Sequence, residues 1–382
     1  MAITIALLLI VVGSVLFHLL TPWQLTPLAS NWGWMDDTLS ITFGVTGVFF
    51  VAVNLFVVLA LWRYRHRPGE GGARRAAYQP ENPRLERWLI GLTTLGIAGL
   101  LAPGLAVYAR YVQPPDDAQL VEVLGQQWQW RYRFPGAGGR LGVSAARHVS
   151  LANPFGVDPA DPAGQDDLLI SGNDLHLPLG RPVKLLLRSN DVLHDYFVPP
   201  FRARMNIVPG QITSFWFTPT RVGRFEAMCA QLCGIGHPNM QGGVVVESEA
   251  AFEAWLKRQP SFAQTLALAR PGAGDPLAER GRSLAQAKGC VACHSADGAA
   301  GVGPTWKGLF GKTETMADGS TALVDEAYVK AFIRNPKARS VKGFAPVMPV
   351  IPLDDEELSA LTAYIRALGA APPPPGSPQA QR

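Results

Sequence analysis

The pattern of apolar and polar positions changes twice along this 382-residue chain. Long apolar runs come first. Residues 41–62, "ITFGVTGVFFVAVNLFVVLALW", and 88–109, "WLIGLTTLGIAGLLAPGLAVYA", carry no charge. Each is long enough to cross about 30 Å of hydrocarbon as a helix. Residues 2–20 are a third such run. No Lys or Arg precedes residue 63 and "PLAS" at 27–30 is a poor cleavage site, so a retained helix is expected there rather than a signal peptide. The segment between the two charge-free spans, "RYRHRPGEGGARRAAYQPENPRLER", has seven Arg against three Glu. The positive-inside rule puts it in the cytoplasm and everything after residue 110 outside.

From about residue 112 the runs become short, aromatic and β-branched: "QLVEVLG", "QQWQWRYRF", "VKLLLR", "QITSFWF" and "GGVVVE". Gly, Pro, Asn and Asp separate them, which predicts an all-β sandwich or barrel. A short helix, "EAAFEAWLKR", follows. The expected division is 1–38, an N-terminal apolar segment and outer loop; 39–111, a transmembrane hairpin; 112–258, the β domain; 259–275, a linker; 276–369, an all-α domain; and 370–382, a Pro-rich disordered tail.

Composition supports the membrane reading, with 48% hydrophobic and 17% charged residues. A net charge of +4 gives no electrostatic case for nucleic acid. The four cysteines matter more. They fall in two tight pairs, Cys229/Cys233 and Cys290/Cys293, which suit metal or cofactor attachment rather than a disulfide framework.

The stretch "CAQLCGIGHPNM" groups Cys229, Cys233, His237 and Met240, and "NDVLH" adds His194. Two Cys and two His could hold a structural zinc, but zinc has no use for a thioether. Thiolate, imidazole and a weak thioether on a β-sandwich make a copper electron-transfer pattern. One copper needs one Cys; two coppers bridged by both sulfurs use every donor, with the backbone carbonyl of Gln231 as the second weak ligand. Further along, "CVACH" is the c-type haem attachment signature, with Cys290 and Cys293 for thioethers and His294 for iron. Met348, in "VMP", is expected as the other axial ligand in preference to Met316, which stands in a polar, glycine-flanked stretch.

Residues 40–247 resemble cytochrome c oxidase subunit II, through the hairpin, "GQQWQWRYRF", "NDVLH", "VPG" and the C-x-x-x-C-G-x-x-H-x-x-M run. Residues 276–369 resemble a class I cytochrome c, through "CVACH", "GVGPTWKGLFG" and the closing amphipathic helix. The resemblance implies a cupredoxin-like sandwich carrying a dinuclear copper A (CuA) centre on His194, Cys229, Gln231 (carbonyl), Cys233, His237 and Met240, and a haem c domain. It also implies that Trp128 is the surface tryptophan where electrons come in and that Glu86 stands at the mouth of a proton channel. No residue is expected to act on oxygen directly. The expected partners are oxidase subunits I and III in a bacterial inner membrane, with both redox domains on the periplasmic face, and an external cytochrome c or other donor. The rival assignments are the electron-accepting subunit of a nitric oxide reductase and a free-standing membrane-anchored carrier. Gln231 and Gln126 stand where the family usually has Glu and His, and Asn206 replaces a common Asp. These changes weaken the case for an interface magnesium or manganese.

Overall fold

Three helices open the chain: α1 (Ala2–Leu20), α2 (Gly33–Arg63) and α3 (Pro83–Tyr111). The computed structural model describes residues 2–21, 26–65, 81–150, 153–170, 173–268, 275–296, 298 and 301–369. The tail 370–382 and the middle of the basic loop, 66–80, lie outside the described residues. All three helices are long and apolar enough to cross a membrane. Their large side chains point outward, with Phe56 71% and Trp88 75% exposed, so they need lipid or other apolar cover. Polar groups on α2 are satisfied within the helix: the hydroxyls of Thr38, Thr42 and Thr46 donate to the carbonyls of Trp34, Thr38 and Thr42. Helices α2 and α3 outrun the apolar spans because polar first turns continue the backbone ladder. Asn82 caps α3 by accepting from the Leu85 N–H, and Pro83 takes the first turn. These helices form one unit, Met1–Gln113, with the segment Pro200–Arg202. Within it Arg202 donates to both carboxylate oxygens of Asp36, at 2.7 and 3.0 Å.

The second unit comprises Pro114–Pro199 and Ala203–Arg382. Its first part is strands: β1 (Gln119–Gln126), β2 (Gln129–Phe134), β3 (Leu168–Ile170), β4 (Asp174–Pro178), β5 (Val183–Ser189), β6 (His194–Val198), β7 (Ala203–Ile207), β8 (Thr213–Phe217), β9 (Gly223–Cys229) and β10 (Gln241–Glu247). They make two five-stranded sheets, ordered β3-β2-β1-β5-β8 and β4-β10-β9-β6-β7. Trp130, Tyr132, Phe134, Tyr196, Phe215 and Phe217 are fully buried in this cupredoxin-like sandwich. The alternation seen in the sequence follows from this, since inward positions of each strand meet the facing sheet.

The outer face of β1 and β2 is covered as well. Arg133 pairs with Glu122 at 2.5 Å and with Asp167 at 2.8 Å, all three nearly inaccessible. Arg188 bonds the other oxygen of Glu122 at 2.8 Å. Beside this network Leu124, Phe155, Val157, Leu169 and Phe262 form an apolar cluster. After α4 (Glu249–Leu256), Phe262 opens a further helix, α5 (Phe262–Leu268). The stretch 259–275 was expected to be a linker throughout. Its first half is instead structured, because fully buried Phe262 anchors it to the sheet and the Phe262 N–H donates to Asp167 O at 2.7 Å.

The remainder is helical: α6 (Pro276–Ala287), α7 (Glu326–Arg334) and α8 (Asp355–Gly369), with one hairpin, β11 (Thr313–Thr315) and β12 (Thr321–Leu323). Asp275 and Asp325 cap α6 and α7. Helices α6 and α8 cross in close contact at Gly281, where a Cβ would stand 1.9 Å from the Ala360 carbonyl oxygen. Leu284, Trp306, Leu309, Val329, Leu361 and Ile365 build the core on that crossing.

Candidate metal centre and haem site

Strand β9 ends on Cys229, and the loop to β10 folds back so that Cys229 N–H donates to Met240 O at 3.0 Å. That closure brings the predicted donors together. The two sulfurs are 3.7 Å apart. His194 Nδ1 lies 4.0 Å from Cys229 Sγ, and His237 Nδ1 3.6 Å from Cys233 Sγ. Met240 Sδ is 3.9 Å from Cys233 Sγ, and Gln231 O is 3.1 Å from Cys229 Sγ. His194, Cys229, Cys233 and Met240 are buried. The hydrogen bond shared by the sulfurs pushes Cys229 far below the usual thiol range and Cys233 far above it. A cation between them would relieve that conflict and let both ionise. Sulfur, imidazole, thioether and carbonyl donors, with no carboxylate among them, fit copper better than a hard ion.

Three supports escaped the sequence reading. Asp191 Oδ1 lies 2.9 Å from His194 Nε2, leaving Nδ1 turned toward the sulfurs. The Asp–His spacing of three in "NDVLH" was the available signal. Gln127 and Trp128 both donate to the Cys233 carbonyl, at 2.8 and 3.2 Å. Gly236 lets the Trp128 indole lie on the ligand loop: a Cβ there would stand 2.2 Å from the ring.

A second cavity is lined by Cys290, Cys293 and His294 from one side and by Met348 from another, with mostly apolar walls. Met316 is buried elsewhere, bridged to Val341, and is not among the lining residues. His294 Nδ1 donates to Pro304 O at 2.8 Å, and its ring stacks on Trp306 at 5.1 Å. Gly303 lies flat against the imidazole, where a Cβ would be 2.5 Å from Cε1. The ring is thus fixed with Nε2 as its remaining donor. Burial raises the Cys290 thiol to about 11 and Cys293 also upward, so these sulfurs are held neutral, as thioether formation rather than metal ligation requires. The residues fit a covalently held haem.

Trp128 is only 8% exposed and also lines this cavity, because the helical part covers it. The resemblance implied a tryptophan open at the surface; here the side chain is covered by the chain's own helical part. Glu86 is exposed in the first turn of α3, accepting from the Asn82 N–H at 3.4 Å. His176 is satisfied, with Glu247 at 2.8 Å and Trp255 stacked on it.

Residues 119–249 match the family "Cytochrome C oxidase subunit II, periplasmic domain" and residues 278–369 match "Cytochrome c". The alternative cytochrome c oxidase subunit 2 of Bradyrhizobium diazoefficiens is 53% identical over 69% of this chain and 94% of its own. Almost none of that relative is left to match the rest of this chain. The cytochrome c oxidase subunit 2 of Alkalihalophilus pseudofirmus is 24% identical over 88% of this chain and 87% of its own. That of Cereibacter sphaeroides is 29% identical over 61% of this chain and 77% of its own. A membrane-anchored chain with a cupredoxin-like sandwich and a cytochrome c domain, matched at this level, belongs to the cytochrome c oxidase subunit II family.

Proposed function

We propose that the chain carries electrons from an external donor to the catalytic subunit I of a haem–copper oxidase in a bacterial inner membrane, where oxygen is reduced. The observation that carries this reading is that Trp128 touches both candidate sites: its indole donates to Cys233 O and its ring lines the cavity of His294. In this reading Cys290, Cys293, His294 and Met348 hold haem c. His194, Cys229, Cys233, His237, Met240 and the Gln231 carbonyl hold the copper pair. Bound there, these groups supply reversible one-electron chemistry. The protein's own work is to fix the donors. Asp191 orients His194, Pro304 orients His294, and buried walls exclude water so that little must rearrange when charge moves. The sandwich and helical part face the periplasm, in line with the positive-inside orientation of the helices.

The test is metal and haem analysis of the chain purified in mild detergent. About two coppers and one covalent haem per chain are expected, with a multi-span haem-bearing partner at equal amount. Zinc in the sandwich, or a chain without a partner, sinks the proposal.

A further inference from the structure

Helix α6 ends where the sandwich begins. Of its last carbonyls, Gln286 O already accepts the Gly289 N–H at 3.3 Å, whereas Ala287 O gets no partner from a further helical turn. Gln129 Nε2 donates to the first, and Gln126 Nε2 to the second at 2.9 Å. Two side-chain amides of the sandwich thus cap a helix of the cytochrome part. Two residues on, Gly289 brings its backbone against the Gln127–Trp128 peptide: a Cβ would stand 2.2 Å from Gln127 O and 2.9 Å from Trp128 N. These are backbone atoms that cannot swing aside. Gly289 also has φ +72, but that alone does not explain the contact, since Gly308 at φ +68 has open space where its Cβ would be.

We propose that Gln126, Gln129 and Gly289 form a latch that seats the cytochrome part on Trp128 and thereby closes Trp128 to soluble cytochromes. The inference rests on the functional reading above and adds the positioning residues to it. At both glutamines a neutral amide donates to a helix-end carbonyl, a contact that does not depend on pH. All three latch residues are uncharged. Salt therefore screens nothing in these contacts, unlike the charge-steered docking of separate proteins. With the latch closed, an external donor must deliver its electron to the cytochrome part, away from Trp128.

The test uses the full chain in detergent with both cofactors bound. Three forms are compared with the parent: Gly289→Asn, Gln126→Ala with Gln129→Ala, and Gly308→Asn as a control. Asn tolerates positive φ, so Gly289→Asn chiefly adds the clash. The first readout is hydrogen exchange of residues 124–130 and 284–292. Exchange in both segments should quicken about tenfold or more in the two latch variants, and stay at the parent rate in the control. The second readout is single-electron transfer after rapid reduction, in which the haem iron loses one electron and the copper pair gains it. Transfer should slow about tenfold in the latch variants, with unchanged haem and copper spectra, and should be insensitive to salt in the parent. A soluble reduced cytochrome should reach the copper pair directly in the latch variants alone. Parent-like exchange and transfer in both latch variants overturns the proposal, and so does a salt-dependent parent rate. If Gly289→Asn does not fold, the glutamine pair decides. Failure of the functional reading looks different: the parent then lacks copper or haem, while exchange still scores the latch.

Discussion

Polar atoms gather around Cys229 and Cys233, whereas around Cys290 and Cys293 they are kept away. At the first pair the sulfurs lie 3.7 Å apart, each within 4.0 Å of an imidazole nitrogen, and the Asp195 carbonyl accepts from the Ala230 amide beside them. At the second pair burial in an apolar cavity dominates and lifts Cys290 to about 11. The first arrangement suits ligation, the second covalent attachment. The difference also sets what holds each fold together. The donors at the first pair are brought together by β6, β9 and the loop closed by Cys229 and Met240, all framed by the sandwich's own core. At the second pair a group attached there would complete the core, because Trp306, Leu309, Val329, Leu361 and Ile365 both line the cavity and build that core.

The sharpest break in that comparison comes from removing each attachment in turn. Cys290→Ser with Cys293→Ser should unfold most of the helical part, read as loss of helix by circular dichroism and rapid proteolysis after residue 275. The sandwich should stay intact and bind copper. Cys229→Ser with Cys233→Ser should abolish copper binding but move the melting of the sandwich by less than about 5 °C, roughly 1 kcal/mol. A protease-resistant helical part without haem would erase the contrast.

A second, smaller effect probes the frame behind the copper donors. Arg133→Met leaves Asp167, fully buried, without its guanidinium partner and should cost about 3–5 kcal/mol in chemical denaturation of the sandwich. Burial, against the pull of Arg133, raises the Asp167 carboxyl from 3.8 to about 6. The folded form thus binds this proton more tightly than the unfolded chain, and the group favours folding as pH falls from above about 6 toward 3.8. Without Arg133 the carboxyl rises further. The loss in Arg133→Met should therefore shrink between pH 8 and pH 5. A loss that grows on acidification would show that the network is not set by that carboxylate.

How much of this was legible beforehand depended on what kind of contact each residue makes. Cys229, Cys233, His237 and Met240 fall within twelve residues, and the residues of "CVACH" are neighbours in sequence, so spacing alone made them candidates; His194, on β6, joined them through the resemblance. The strands showed through alternation, since their inner faces meet one core. Gly236 and Gly289 did not show, because each is glycine on account of a residue far away in sequence, Trp128 and Gln127. The same holds for Arg133, Glu122 and Asp167, three charges on separate segments whose pairing only the fold reveals. Phe262 looked like part of a linker because the apolar pair it makes with Leu266, one turn on, spans too few residues to read as an amphipathic helix. The cover over Trp128 was not legible either, because no local feature announces that another part of the chain will lie on it.

Within the copper nest the comparison can be sharpened at Asp191. Its carboxylate holds His194 Nε2 at 2.9 Å and accepts the Gln127 N–H at 2.7 Å. Asp191→Ala should weaken copper binding about 10- to 100-fold, with haem content unchanged. A titration with a competing chelator reads the first and the haem absorbance the second. An unchanged affinity would mean that the core, rather than Asp191, orients His194.

The smallest effect is expected at Gln231, and there the absence of change carries the information. Its carbonyl oxygen is 3.1 Å from Cys229 Sγ, while its side chain takes no part in the donor set. A backbone carbonyl is unaltered by exchanging the amide for a carboxylate, so Gln231→Glu should leave copper stoichiometry and spectrum as they were and affinity within about twofold, under 0.5 kcal/mol. A larger change would mean that the side chain, and not the backbone, is what the copper site feels at this position. The added carboxylate would supply the hard donor that an amide does poorly. Manganese binding gained in the assembled complex, with the copper signal untouched, would therefore assign the two halves of residue 231 to two different metals.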